Sequence, residues 1–262
     1  MKVIDFHTHY YPDKIVEKAL NKAIDFIKPV TNGTRSGLIE SMHKNNIEYS
    51  VALPMVNCPA NAKSLNLWAS RENHDEIIMF GSVHPEEETP EETLKYVAEL
   101  GMKGIKVHPE YQNFYFSDPK YDRIWRACIE NDLIVLTHTG FDIMFQPPYH
   151  CTPADIAAVK ERHPELKLVA AHGGGMRMYD EVIKNVIGKE IYIDLAFMTE
   201  MNIDSATLNR LVQGHSEDFI LYGSDSPWCD QGKMLEIVQN LSISDIAKEK
   251  ILYKNAAKLL KV

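Results

Sequence analysis

The chain has 262 residues, 45% of them hydrophobic and 25% charged, with a formal net charge of −9. This is an ordinary globular composition with enough length for a large core, and the negative balance argues against nucleic acid or an anionic membrane as the main partner. Four scattered cysteines without CxxC spacing, no basic-then-apolar leader and no apolar run near ~20 residues argue against a disulfide framework, a secreted protein and a membrane span, so a cytoplasmic protein is expected.

The first predicted strand, Val3–Phe6, runs into Asp5-Phe6-His7-Thr8-His9. Side chains two apart on a strand leave on one face, so His7 and His9 project together, a good start for a divalent metal site. Pro29–Gly37 reads as a loop between two pieces of the first connection. Strands follow at Tyr49–Leu53 and at Ile77–Val83, the latter ending in His84-Pro85. A helix is predicted over Pro90–Leu100, with proline at its start and acids in its first turn. Gly104–Val107 is the next strand; Lys106 and His108 share its parity. Helix Asp122–Asn131 precedes strand Leu133–Thr137, which ends in His138-Thr139-Gly140. Helix Thr152–Arg162, with Thr152 as N-cap, leads to strand Leu168–Ala171 and His172-Gly173-Gly174-Gly175. The rest alternates in the same way: helix Arg177–Ile187, strand Ile191–Leu195, helix Ser205–Gln213 and strand Phe219–Tyr222. Gly223-Ser224-Asp225-Ser226-Pro227 comes next, then helix Gln231–Leu241 and one or two closing helices over Ser244–Leu260.

Eight apolar strands alternating with helices imply βαβ units and a parallel sheet. A closed (β/α)8 TIM barrel is expected, as one domain over residues 1–262 with C-terminal closing helices. A doubly wound sheet is the alternative. The barrel is favoured because polar residues sit at strand C-terminal ends throughout, rather than at one switch point. A barrel gathers His7, His9, His84, His108, His138, His172 and Asp225 around one mouth.

These segments in this order resemble the amidohydrolase superfamily, in the amidohydrolase-2 branch that also holds enzymes like aminocarboxymuconate-semialdehyde decarboxylase. The resemblance rests on Asp5-Phe6-His7-Thr8-His9, Gly104-Ile105-Lys106-Val107-His108-Pro109, His138-Thr139-Gly140, Ala171-His172-Gly173-Gly174, Gly223-Ser224-Asp225-Ser226-Pro227 and the ending Lys254–Leu260. It implies His7, His9, His138 and Asp225 as metal ligands. His172 is then a catalytic residue or a further ligand, and Asp225 both binds metal and accepts a proton from the attacking water. Three imidazoles and a carboxylate suit one Zn²⁺, with Mn²⁺ possible, and such an ion lowers the pKa of bound water towards ~7.

Around this set, substrate-binding roles are expected for Lys106, His108, Arg177, Tyr111, Trp228 and His84. Lys106 is read as a carboxylate binder, as the partner of a buried acid, or as a carboxylated bridge between two metals. Two aromatic segments, Glu110–Phe116 and Phe141–Cys151, read as walls or a lid of the pocket. His43, His74, His163 and His215 fall on helix-like stretches and are expected at the surface. The substrate is expected to be small, anionic and partly apolar; a homodimer is a family-based expectation. Hydrolysis of an amide, lactone or related carbonyl is preferred, because Pro54-Met55-Val56-Asn57-Cys58 lacks the substrate-binding arginine of decarboxylase members. A non-oxidative decarboxylase is the alternative, and an inert metal-binding barrel a minor one.

Overall fold

The computed structural model describes residues 1–199 and 203–262. Among the described residues nine parallel strands make the staves: β1 (Ile4–Thr8), β2 (Tyr49–Ala52), β3 (Ile77–Met79), β4 (Gly81–Ser82), β5 (Gly104–Val107), β6 (Ile134–Thr137), β7 (Lys167–Ala170), β8 (Tyr192–Asp194) and β9 (Ile220–Leu221). The order is β1-β2-β3 and then β4-β5-β6-β7-β8-β9. The predicted stave Ile77–Val83 is therefore two short strands parted by Phe80, whose N–H bonds the Ala52 carbonyl at 3.0 Å. The ring closes between first and last staves, through Phe6 N to Tyr222 O (2.9 Å) and Asp225 N to His7 O (2.7 Å). This is a TIM barrel with eight staves, β3 and β4 together forming one.

One cluster of buried side chains fills the interior, with Ile4, Phe6, Val51, Leu53, Phe80, Ile134, Leu136, Val169 and Leu221 meeting Ala256, Leu259 and Leu260 of the last helix. Burying each large side chain of this kind contributes about 1.5–3 kcal/mol. The terminal helix Asn255–Leu260 thus plugs one end. A second cluster joins the outer faces of the strands, such as Ile105, Val107, Val135 and Leu168, to helix residues such as Leu94, Trp125 and Val159. In β5 this leaves Lys106 and His108 on the opposite, inward parity. Among the described residues no helix is long and apolar enough to cross a membrane.

Local signals act where expected. The Thr152 hydroxyl accepts from Asp155 N while the Asp155 carboxylate accepts from Thr152 N, a capping box for helix Pro153–Arg162. The helix predicted from Arg177 begins only at Tyr179. Arg177 has φ +56°, a left-handed conformation that no α-helix continues. The loop predicted over Pro29–Gly37 ends earlier, because Thr34 caps helix Arg35–Lys44 by accepting from Gly37 N. Two histidines expected at the surface are buried. His163 Nε2 lies 3.2 Å from Asp122, and the His215 ring spans Ile191 O and Gly188 N–H. Polar groups of neighbouring elements lie against both rings, and hydrogen bonds satisfy the His215 ring, which helical position alone does not reveal. Phe114 and Phe116 also leave the expected pocket wall for the core, packing on Tyr121 and Trp125 at ring distances of 5.0 and 4.6 Å.

Candidate active site

The first stave carries an irregularity that builds the site. Asp5 pairs with Ser50 but Thr8 pairs with Ala52, three steps against two. Phe6 accordingly packs in the interior cluster, and the very next side chain, His7, also turns to the barrel mouth. Asp5 stays on the other side, accepting from His7 N (3.2 Å), Ser224 N (3.0 Å) and Gln231 Nε2 (2.8 Å), and so ties β1 to the segment after β9. Gly223 permits this contact, since a Cβ there would lie 2.9 Å from the Cβ of His7.

His7 and His9 each have one ring nitrogen fixed from outside. His7 Nδ1 donates to the Asp194 carboxylate at 2.8 Å, and His9 Nδ1 donates to Leu53 O at 2.9 Å. Each Nε2 therefore keeps a lone pair. The Asp225 carboxylate faces both, 3.1 Å from His9 Nε2 and 3.7 Å from His7 Nε2. Across the mouth the same logic repeats. His138 Nε2 donates to Phe141 O (3.2 Å) and His172 Nδ1 donates to Ala196 O (3.2 Å), which leaves His138 Nδ1 and His172 Nε2 facing each other at 3.1 Å. His7 links the two sides, its ring centroid 5.1 Å from that of His172.

Buried lone pairs directed at lone pairs and at a carboxylate are unfavourable unless a cation lies among them. The donors present, imidazole nitrogen and carboxylate oxygen, suit zinc or manganese. Three groups of side chains could each hold an ion: His7, His9 and Asp225; His7, His172 and Asp194; and His108, His138 and Asp142, with His138 Nδ1 3.1 Å from His172 Nε2. The resident group thus fits these residues. His172 and Asp225 both sit at positive φ, +60° and +71°, which costs about 1 kcal/mol or more for a residue with a Cβ. Such strain at two facing side chains marks a site whose geometry matters more than local ease.

Charge follows position. Burial raises the Asp225 pKa, and positive charge on His7 and His9 lowers it overall; with both rings neutral, a cation held among them would have to supply that charge. Asp194 behaves alike, at about 2, because His7 overrides its burial. Burial pushes His7, His138 and His172 down, which keeps the rings neutral. Lys106, 2% exposed, places Nζ 3.4 Å from His7 Nε2. Burial lowers its pKa to about 8, and among the described residues no carboxylate lies within ion-pair distance of it.

The other expected pocket residues divide. His108 is in the site, stacked on His138 at 4.3 Å and 10°, with Tyr111 edge-on at 4.6 Å. Burial and the neighbouring His138 push its pKa down to about 3. Tyr111 also meets Phe145 at 5.0 Å, so the two aromatic loops do touch at the mouth. Arg177 is exposed, its guanidinium 4.3 Å over the Phe141 ring. Trp228 packs half-buried on the outer cluster, one turn beyond Asp225. His84 is buried, with Nδ1 accepting from Glu86 N, and is not among the ring contacts of the cluster. Sequence reasoning missed Asp194, Asp142 and Tyr11. Asp194 carried a signal, as the one charged residue in the apolar run Ile191–Leu195. Tyr11 is half-buried, and its surroundings together with the nearby Asp225 charge push its phenol pKa well up.

A family model described as Amidohydrolase matches residues 4–262. No curated protein matches the chain. Among solved structures, an uncharacterised TIM-barrel protein from Bordetella bronchiseptica superposes with a TM-score of 0.79 at 19% identity, over 100% of this chain and 99% of that one. A 2,6-dihydroxybenzoate decarboxylase from Rhizobium does so at 0.73 and 17%, over 100% and 99%. A 5-carboxyvanillate decarboxylase from Novosphingobium aromaticivorans, with bound manganese, does so at 0.73 and 15%, over 99% and 97%. At these identities the likeness is one of fold.

Proposed function

For a chain that belongs to the amidohydrolase family, and is thus a metal-dependent hydrolase or carboxy-lyase, we propose non-oxidative decarboxylation of a small conjugated or aromatic carboxylate. His7, His9, His138 and Asp225 would hold one divalent ion, zinc or manganese, with His172 completing or facing it. When bound, the ion supplies positive charge that draws a substrate oxygen into the site and stabilises negative charge developing there.

One observation carries the reading: the buried Lys106 amine beside His7 Nε2 with no carboxylate of its own. A buried cation is costly unless paired, so its partner is expected to arrive with the substrate. An anion held at that depth, against the donor atoms themselves, makes the carboxylate the reacting group. Decarboxylation then breaks the bond from that carboxyl carbon to the substrate carbon; carbon dioxide leaves, and the electron pair left behind takes a proton. In this reading Asp225, between His7 and His9, takes a proton from solvent water and passes it to that carbon, the hydroxide returning to solvent. Tyr111 and Phe145, edge to face, give the mouth an aromatic border. The two decarboxylases of like fold act on ring carboxylates, which supports the same class here.

Hydrolysis of a lactone or amide is the second reading. The ionised Asp225 favours it, because a ready carboxylate accepts a proton from water without prior protonation. Carbon dioxide release from hydroxybenzoates by the Mn²⁺- or Zn²⁺-loaded protein separates the two. Release that Lys106→Met abolishes supports the decarboxylase; turnover of lactones or amides alone overturns it.

A further inference from the structure

The loop after β6 does more than border the mouth. Asp142 Oδ2 lies 3.3 Å from His108 Nε2 and 4.0 Å from His138 Nε2. The preceding residue supplies the Phe141 carbonyl that receives the Nε2–H of His138. Two consecutive loop residues therefore grip both imidazoles of the stack. The rings are almost parallel, with both Nε2 edges turned to one carboxylate oxygen. Side-by-side imidazoles with aligned dipoles repel each other, and an anion facing both N–H edges offsets that repulsion. Asp142 is the acid placed there, its Oδ2 facing both ring edges.

The loop is anchored as a unit. Phe141 N bonds Met176 O and Gly140 N bonds Cys151 O, at 2.9 and 2.8 Å. At its far end His150 N donates to Glu110 Oε1 (2.6 Å), and the His150 ring lies 2.8 Å from Glu110 Oε2. Asp142 Oδ1 also accepts from Met144 N at 2.7 Å, which sets the first turn of the loop.

We infer that Asp142 is a positioning residue for the candidate cation site: it fixes His108 and His138 so that His138 Nδ1 faces His172 Nε2 unprotonated, and thereby makes ion binding and docking of loop 141–151 one coupled equilibrium. The inference rests on the reading of His138 as an ion ligand. Coupling is reciprocal, so an ion that needs the docked loop must also tighten it.

The test titrates metal-free protein with Co²⁺ alone and reads the visible absorption band, while a protease probes loop 141–151. In the wild type, Co²⁺ should slow cleavage in the loop at least tenfold. Asp142→Ala should weaken Co²⁺ binding about 10–100-fold, shift the band and remove the ion-dependent protection. Asp142→Asn keeps the shape and an oxygen for Met144 N but not the charge, and should fall between. Asp142→Ala and Asp142→Asn variants with wild-type affinity, band and protection overturn the inference. If Asp142→Ala does not fold, Asp142→Asn decides alone, wild-type behaviour overturning it. A wild type that takes up no Co²⁺ overturns the ion site itself, and this inference with it.

Discussion

His7, His9 and Asp225 stand on one side of the mouth and His108 and His138 on the other, and the two sides are held by different means. On the first side the outer partners belong to the barrel: Asp194 at the end of β8, Leu53 O just past β2, and Asp5 tying β1 to the segment after β9. On the second side they belong to one loop, through Phe141 O and Asp142. A strand end cannot move without breaking the sheet ladder, whereas a loop opens at modest cost. The strand-held side is therefore a fixed template, and the loop-held side is where ligand entry can be linked to site assembly.

The largest effect should come from the fixed side. Asp225→Asn should lower carbon dioxide release by roughly 10²–10⁴-fold in a folded protein; release near the wild-type rate would remove that side from the chemistry. Outer partners sharpen the contrast. Asp194 accepts from the His7 ring and from His172 N and Ala196 N, at 2.9 and 3.1 Å for the two amides. Asp194→Ala should cost about 3 kcal/mol in urea unfolding, because buried donors lose their acceptor. Asp142→Ala should cost within about 1 kcal/mol in the same assay while still weakening the ion, since its loop bonds are few. Equal stability losses would erase the distinction between template and loop.

Lys106 tests what the template is for. Lys106→Met should reduce binding of a benzoate probe about tenfold or more, read by calorimetry, with the melting temperature unchanged or higher, because a buried unpaired cation is removed. A fall in melting temperature would mean that the amine serves the fold instead.

The smallest effect concerns pH, away from the mouth. His215 donates from Nε2 to Ile191 O and accepts at Nδ1 from Gly188 N, so the ring must be neutral, and burial lowers its pKa. The unfolded chain then binds the extra proton more readily. Its contribution is present above about pH 6.5 and is lost as pH falls through that value, at no more than about 1.4 kcal/mol per pH unit. His215→Gln should flatten that part of the stability curve; an unchanged curve would show that the ring protonates freely.

The staves, the closing helices and the strand-end histidines were legible in the chain because they are written in short-range periodicity: an apolar run and then, at most βα steps, a histidine or acid. The parity of Lys106 with His108 came from the same two-residue repeat. What folding alone decided were the acids and the faces. Asp142 in its loop and Asp194 in its apolar strand look like any acid until closure sets them against His108 and His7. The register slip in β1, which turns His7 inward beside Phe6, depends on how β2 pairs with it. Burial of His163 and His215 depended on partners in neighbouring elements. Local sequence encodes direction along a strand; which groups become neighbours, and so which lone pairs need a cation and which rings stay neutral, is set by packing across the barrel.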